Sequence, residues 1–166
     1  MKLRYPWSML LLLILHAEVN ALSTDQDKPF EVEADSAIVD ENLGSTIYRG
    51  DVSIVQGSLK ILADEIEIIT SGGDVVQIIA RTDENSDRLA HLEQQPDNKE
   101  RVFAEARSIN YYIQEQRVNL TGEARLRQMG DEFTGEIVYY DVGQGIVNLK
   151  SGSESERIKI KYNTAK

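Results

Sequence analysis

The sequence predicts an all-β chain of about a dozen short strands, a sandwich, jelly roll or solenoid, and three observations carry that prediction. The first is an alternating apolar pattern that skips one step after an Ala or Gly. It runs Phe30-x-Val32-x-Ala34-x-x-Ala37-x-Val39, Leu59-x-Ile61-x-Ala63-x-x-Ile66-x-Ile68, Val102-x-Ala104-x-Ala106-x-x-Ile109-x-Tyr111 and, lacking its first residue, Phe133-x-Gly135-x-x-Val138-x-Tyr140. Alternation of period two gives a strand one apolar face. The two-residue step reverses that phase, so the strand bends or bulges at a small residue to keep the face inward.

The second observation is an internal repeat. Ala34 to Gly50 to Ala63 spans 16 and then 13 residues, and Ala106 to Gly122 to Gly135 spans the same. A repeat of about 72 residues follows, and repeated strands stack into an extended β structure. Two Greek-key halves of an ordinary sandwich would give the same pattern. The third observation is that no segment after Ala21 carries a helical apolar period.

The elements follow in order. Pro29 precedes the first strand, and strands continue to Thr70 with breaks at Glu41–Gly44 and Gln56–Ser58. Ser71-Gly72-Gly73-Asp74 is a turn, and Val75 to Thr82 reads as a strand that is apolar on both faces. A strand from Leu89 to Gln95 sits between two polar loops. The second repeat runs from Val102 to Tyr140. Gly143-Gln144-Gly145 turns the chain into Ile146 to Leu149, and a last strand, Arg157 to Tyr162, follows the loop Ser151 to Glu156.

Residues 1–21 read as a cleavable secretory signal. Lys2 and Arg4 are its positive region, Met9 to Leu15 its apolar run, and Val19-Asn20-Ala21 its cleavage site. Residues 22–166 then form one exported domain. The formal charge of the whole chain is −10; removing Lys2, Arg4 and Glu18 makes the mature domain more acidic still. Such a surface repels nucleic acid and disfavours a polybasic membrane contact. No cysteine is present, so packing and strand pairing alone hold the domain.

The sequence offers little for catalysis. The mature chain has one histidine, His91, and no cysteine, so nucleophilic triads and Cys/His zinc sites lack parts. Asp35, Asp64 and Glu136 follow the corners, but the counterpart of Asp35 is Arg107, which fits turn chemistry better than a carboxylate pair. Asp83 to Asp87 begins like a calcium loop and then departs from it at Arg88 and Gln94. Gly143-x-Gly145 leads into a strand rather than a helix and is no phosphate cradle. The residues thus point to no catalytic group, metal or cofactor.

What remains is the apolar face. Taking each corner as a phase reset places inward Phe30, Val32, Ala37, Val39, Val52, Ile54, Leu59, Ile61, Ile66, Ile68, Val102, Ile109, Tyr111, Ile113, Leu126, Phe133, Val138 and Tyr140. That face is either a dry core or the wall of a cleft for acyl chains. Each CH₂ shielded from water is worth about 0.8 kcal/mol, and periodicity does not choose between the two.

Phe30-Glu31-Val32-Glu33-Ala34-Asp35, Gly50-Asp51-Val52, Gln56 to Asp64 and Leu120-Thr121-Gly122-Glu123-Ala124 resemble the OstA-like domain of lipopolysaccharide-transport proteins. The resemblance covers residues 26–162. It implies a twisted, open-ended, two-sheet antiparallel β-jelly roll in the periplasm that carries lipopolysaccharide from the inner to the outer membrane. It puts lipid-facing positions at Phe30, Leu92, Tyr111 and Ile113. With the inward set, the expected lipid-binding residues are Phe30, Val32, Ile54, Ile66, Ile68, Leu92, Ile109, Tyr111, Ile113, Leu126, Phe133 and Tyr140.

The resemblance further implies strand addition at terminal edges. Phe30, Glu31 and Val32 would face an inner-membrane anchored LptC-like protein. Ile158, Ile160 and Tyr162 would face an outer-membrane LptD-like translocon or the next subunit of a head-to-tail assembly. Arg157, Lys159 and Lys161 give that last strand a basic outer face, which guards a free edge or meets lipid phosphates. The alternative role is a scaffolding β-domain, like LptC or the N-terminal part of LptD, that joins envelope proteins and holds no lipid.

Overall fold

Residues 25, 28–96, 99–153 and 155–164 are described in a computed structural model of the chain. The expected signal peptide lies outside these residues. Twelve strands form: β1 (Glu31–Glu33), β2 (Ser36–Asp40), β3 (Ser45–Gln56), β4 (Leu59–Ser71), β5 (Asp74–Arg81), β6 (Ala90–Gln94), β7 (Val102–Ala106), β8 (Ser108–Tyr112), β9 (Arg117–Gln128), β10 (Asp131–Asp141), β11 (Ile146–Lys150) and β12 (Lys159–Lys161). Every pairing is antiparallel.

Four long strands, β3, β4, β9 and β10, cross from one layer to the other, so each contributes a half to both. The first layer runs β1, late β3, early β4, β6, β7, late β9, early β10, β12. The second runs β2, early β3, late β4, β5, β8, early β9, late β10, β11. Each layer is a row of eight strands, and its two terminal strands have one unpaired edge among the described residues.

The crossing has a local cause. Ladder register slips between Arg49 and Val52 in β3 and between Gly135 and Ile137 in β10. Gly50 (φ +84°) and Asp51 (+47°) take left-handed conformations in succession, as do Gly122 (+80°) and Glu123 (+51°). A side chain at Gly122 would also place its Cβ 2.8 Å from the Cβ of Arg107. Glycine is therefore required twice over. The small residues of the sequence pattern lie at the same corner: the β1–β2 break falls at Ala34–Asp35, and the β7–β8 break at Arg107.

The inner faces of both layers pack into one apolar core, including Ile54, Ile61, Ile66, Ile78, Leu92, Ile109, Leu120, Leu126 and Tyr140. Two expected inward positions need correcting. Ala37 and Val39 lie on the inner face, beside Tyr48 and Thr46, yet both are exposed and Val39 is 64% exposed. The facing strand β1 is three residues long and is the last in its layer, so no described residue covers them.

Candidate functional site

The inner faces form a continuous apolar surface among the described residues. Ile54, Leu92 and Leu126 approach from the first layer, and Ile66, Ile68, Ile109, Tyr111 and Tyr140 from the second; all eight are buried. Phe30, Val32, Ile113 and Phe133 are half-buried and pack against that cluster. The structure thus brings together all twelve residues that the sequence singles out.

The interior differs along its length. At its waist the layers close on a thin gap, lined by Leu92, Val102, Leu126, Val118, Tyr140 and Val142 among others, that admits no water-sized sphere. At the ends the same inner face opens. Val39 is uncovered at the β1–β2 end. Ile158, Ile160 (40% exposed) and Tyr162 (65% exposed) are uncovered at the β11–β12 end. Ile160 stands opposite Phe133, so it continues the inward face.

Polar groups inside are few and uncharged. Burial pushes the Tyr111 phenol up, and its hydrogen bond to Gln94 Oε1, 3.3 Å away, opposes that shift. Tyr140 is likewise pushed up by burial, against an opposing effect of Gln128. Its hydroxyl has no hydrogen bond of ordinary geometry among the described residues. Gln56 is buried and donates to the carbonyl of Lys28 at 2.9 Å. An interior of this kind accommodates hydrocarbon and penalises ions.

The ionised groups lie outside. Arg88 bridges Asp51 (2.6 Å) and Asp64 (2.7 Å) at the corner. The backbone N–H of Asp83, assisted by Ser86 and Arg88, holds the Asp64 carboxyl below its ordinary range. His91 sits on the outer face between Glu93 (3.9 Å) and Glu105 (3.7 Å). No group of His, Asp and Glu able to hold a metal occurs among the described residues. On the side of the roll away from the corner, Lys99 Nζ donates to the carbonyls of Val142 (2.5 Å) and Gly143 (2.7 Å). It ties the β6–β7 loop of the first layer to the β10–β11 turn of the second.

Sequence reasoning missed several inner residues, among them Ile78, Ala80, Val118, Leu120 and Val142. Val118-x-Leu120 carried the period-two signal openly. Ile78 and Ala80 did not, because Val75, Val76, Ile78 and Ile79 make β5 apolar on both faces.

Comparison with known proteins places this geometry. Residues 31–146 match the model of the family described as LptA/(LptD N-terminal domain) LPS transport protein. The chain is 31% identical over 137 residues to the lipopolysaccharide export system protein LptH of Pseudomonas aeruginosa, covering 82% of this chain and 76% of that one. It is 28% identical over 120 residues to LptA of Escherichia coli K12, covering 72% of this chain and 63% of that one. The crystal structure of the Pseudomonas LptH superposes with a TM-score of 0.72 at 29% identity, covering 84% of this chain and 98% of that one. That LptH is the LptA-homologous periplasmic component of the conserved lipopolysaccharide transport device of Pseudomonas aeruginosa.

Proposed function

The chain belongs to the LptA/LptD N-terminal-domain family of lipopolysaccharide transport proteins, and from that premise we propose that it is a periplasmic bridge carrying lipopolysaccharide from the inner to the outer membrane, with the acyl chains between its two layers. The supporting observation is an apolar inner face that is continuous through the described residues and uncovered at both ends, with the ion pairs of those residues on the outside. At about 0.8 kcal/mol for each CH₂ removed from water, such a face compensates the transfer of a many-chained lipid across an aqueous space. Phosphates and sugars stay near solvent.

In this reading, Phe30, Val32, Ile54, Ile66, Ile68, Leu92, Ile109, Tyr111, Ile113, Leu126, Phe133 and Tyr140 line the lipid path. The closed waist requires the layers to part on the side away from the corner as a chain enters. Residues 1–21 direct export and are removed. The β1–β2 end meets an LptC-like inner-membrane partner, and the β11–β12 end an LptD-like translocon or another copy.

A photo-crosslinking residue at Tyr111 or Ile113 tests the proposal in living cells. Capture of lipopolysaccharide from either position supports it. The thin waist favours one competing reading, a scaffold that joins partners and holds no lipid. Crosslinks to protein alone from both positions would establish the scaffold instead.

A further inference from the structure

Lys99 is a half-buried cation without a carboxylate. Its backbone is braced: its N–H donates to the carbonyl of Pro96 (3.1 Å), and its own carbonyl accepts from Gln95 Nε2 (2.8 Å). The side chain reaches across to the second layer and gives two of its three donors to the Val142 and Gly143 carbonyls. It forms no ion pair among the described residues, although the chain carries 28 acidic residues against 18 basic ones. Arg101 and Arg117, at the same edge of the roll, are each paired, with Glu93 and Glu115. The acid of the receiving turn, Asp141, is engaged as well, accepting from the Gln144 N–H at 2.7 Å.

The carbonyls that Lys99 holds belong to the wall of the apolar interior. Val142 is buried and lines the waist gap with Leu92, Gln94, Leu126 and Tyr140. Its N–H donates to the Gln116 carbonyl at 2.8 Å, which fixes the turn within the second layer. Parting of the layers on this side therefore breaks the Lys99 bonds and leaves the turn intact. The ammonium sits immediately outside the acyl path, and in the closed form its charge is met by carbonyl dipoles alone.

We propose that Lys99 is an exchangeable latch and the phosphate site of the conduit. Its ammonium holds the Val142 and Gly143 carbonyls in the closed form and turns to a phosphate of the lipid when acyl chains part the layers. A ligand shifts an equilibrium only by its differential affinity for the two states. A phosphate supplies that difference, because it adds charge–charge attraction to the hydrogen bond that a neutral carbonyl offers. The phosphate stays at the rim while the acyl chains lie beside Leu92, Leu126 and Tyr140. An uncharged amphiphile has nothing to offset the two lost bonds and enters less readily. The acidic surface elsewhere repels phosphates, so Lys99 also sets the orientation in which the lipid enters. This rests on the conduit reading and deepens it, by naming the residue that meets the lipid's phosphate.

The test compares wild type with K99M, which keeps the apolar stem and removes the charge, and with K99R, which keeps the charge. The probes are lipid A and lipid A stripped of its phosphates. Wild type should bind lipid A about tenfold more tightly than the stripped form, as one hydrogen-bonded charge pair predicts. K99M should lose that preference and bind the stripped form more tightly than wild type does, since the latch is gone. K99R should retain the preference. An unchanged preference in K99M would overturn the phosphate site, and an unchanged affinity for the stripped form would overturn the latch.

The latch is also read without lipid. Spin labels on Glu100→Cys and Gln144→Cys, both exposed positions in a chain with no native cysteine, report the width of the lip. The wild-type distance should be short and narrowly distributed and should lengthen on adding lipid A. In K99M it should be broad before any lipid is added; identical distributions in the two proteins would overturn the latch. Lipopolysaccharide capture from position 111 is followed alongside. Capture intact with the phosphate preference unchanged in K99M removes this proposal alone, whereas no capture in the presence of Lys99 removes the conduit, and the labels still decide the latch.

Discussion

Tyr111 of β8 donates its phenolic hydrogen across the interior to Gln94 Oε1 at the end of β6, 3.3 Å away. The bond links the two layers directly, between groups that are otherwise surrounded by hydrocarbon. Tyr111→Phe keeps the ring and leaves Gln94 without that donor. The expected cost is about 1 kcal/mol, read as a lower denaturation midpoint at an unchanged denaturant slope.

Ile66 and Glu67 are neighbours on opposite faces of β4. Ile66 is fully buried, whereas Glu67 accepts from Ser45 at 2.9 Å on the outer face. Ile66→Asp puts an unpaired carboxylate in the core and should cost more than about 4 kcal/mol. Glu67→Ala should cost about 1 kcal/mol or less. Thermal melts of the two variants check the inward assignment, and equal effects would contradict it.

Gly122→Ala tests the corner. The substitution combines a left-handed backbone with a clash against Arg107. A loss of about 2 kcal/mol is expected, whereas Gly145→Ala, also at positive φ but with open space around its Cβ, should lose less. Chemical denaturation of both variants separates backbone strain from steric conflict.

Asp64 predicts a pH dependence. Its carboxyl is held below the ordinary value of 3.8 in the folded chain, chiefly by the N–H of Asp83. The charged form therefore stabilises the fold fully above that value, and the contribution fades as pH falls further through the lowered folded-state pKa. Asp64→Ala should be less stable than wild type at neutral pH, and the gap should narrow below pH 3.8. A gap independent of pH down to the acid limit would contradict the assignment.

Much of the fold was legible because it is written in single-residue steps. The phase reversal at Ala34, Ala63, Ala106 and Gly135 marks the corner in the sequence itself, and the repeat spacing pairs its two halves. Less legible was the depth of the corner at Gly50 and Gly122, where two successive left-handed residues make the turn. A glycine spacing does not reveal a φ angle. Cover was also hidden: Val39 and Val138 carry the same alternation, yet one faces solvent and the other is sealed, because burial depends on the length of the strand opposite. The Lys99 contact to Val142 and Gly143 had no local signal, since a lysine reaching distant carbonyls is a tertiary event.

The direction of the strands has a mechanical consequence. They run across the row, so tension applied between the β1–β2 end and the β11–β12 end pulls neighbouring strands apart sideways. Eight strands at about 4.8 Å spacing put roughly 34 Å of protein in series through hydrogen-bonded ladders, each loaded like a zipper opened from the side. Under load the molecule yields one strand at a time from its short terminal strands. The four corner-crossing strands, tied into both layers at once, give way last.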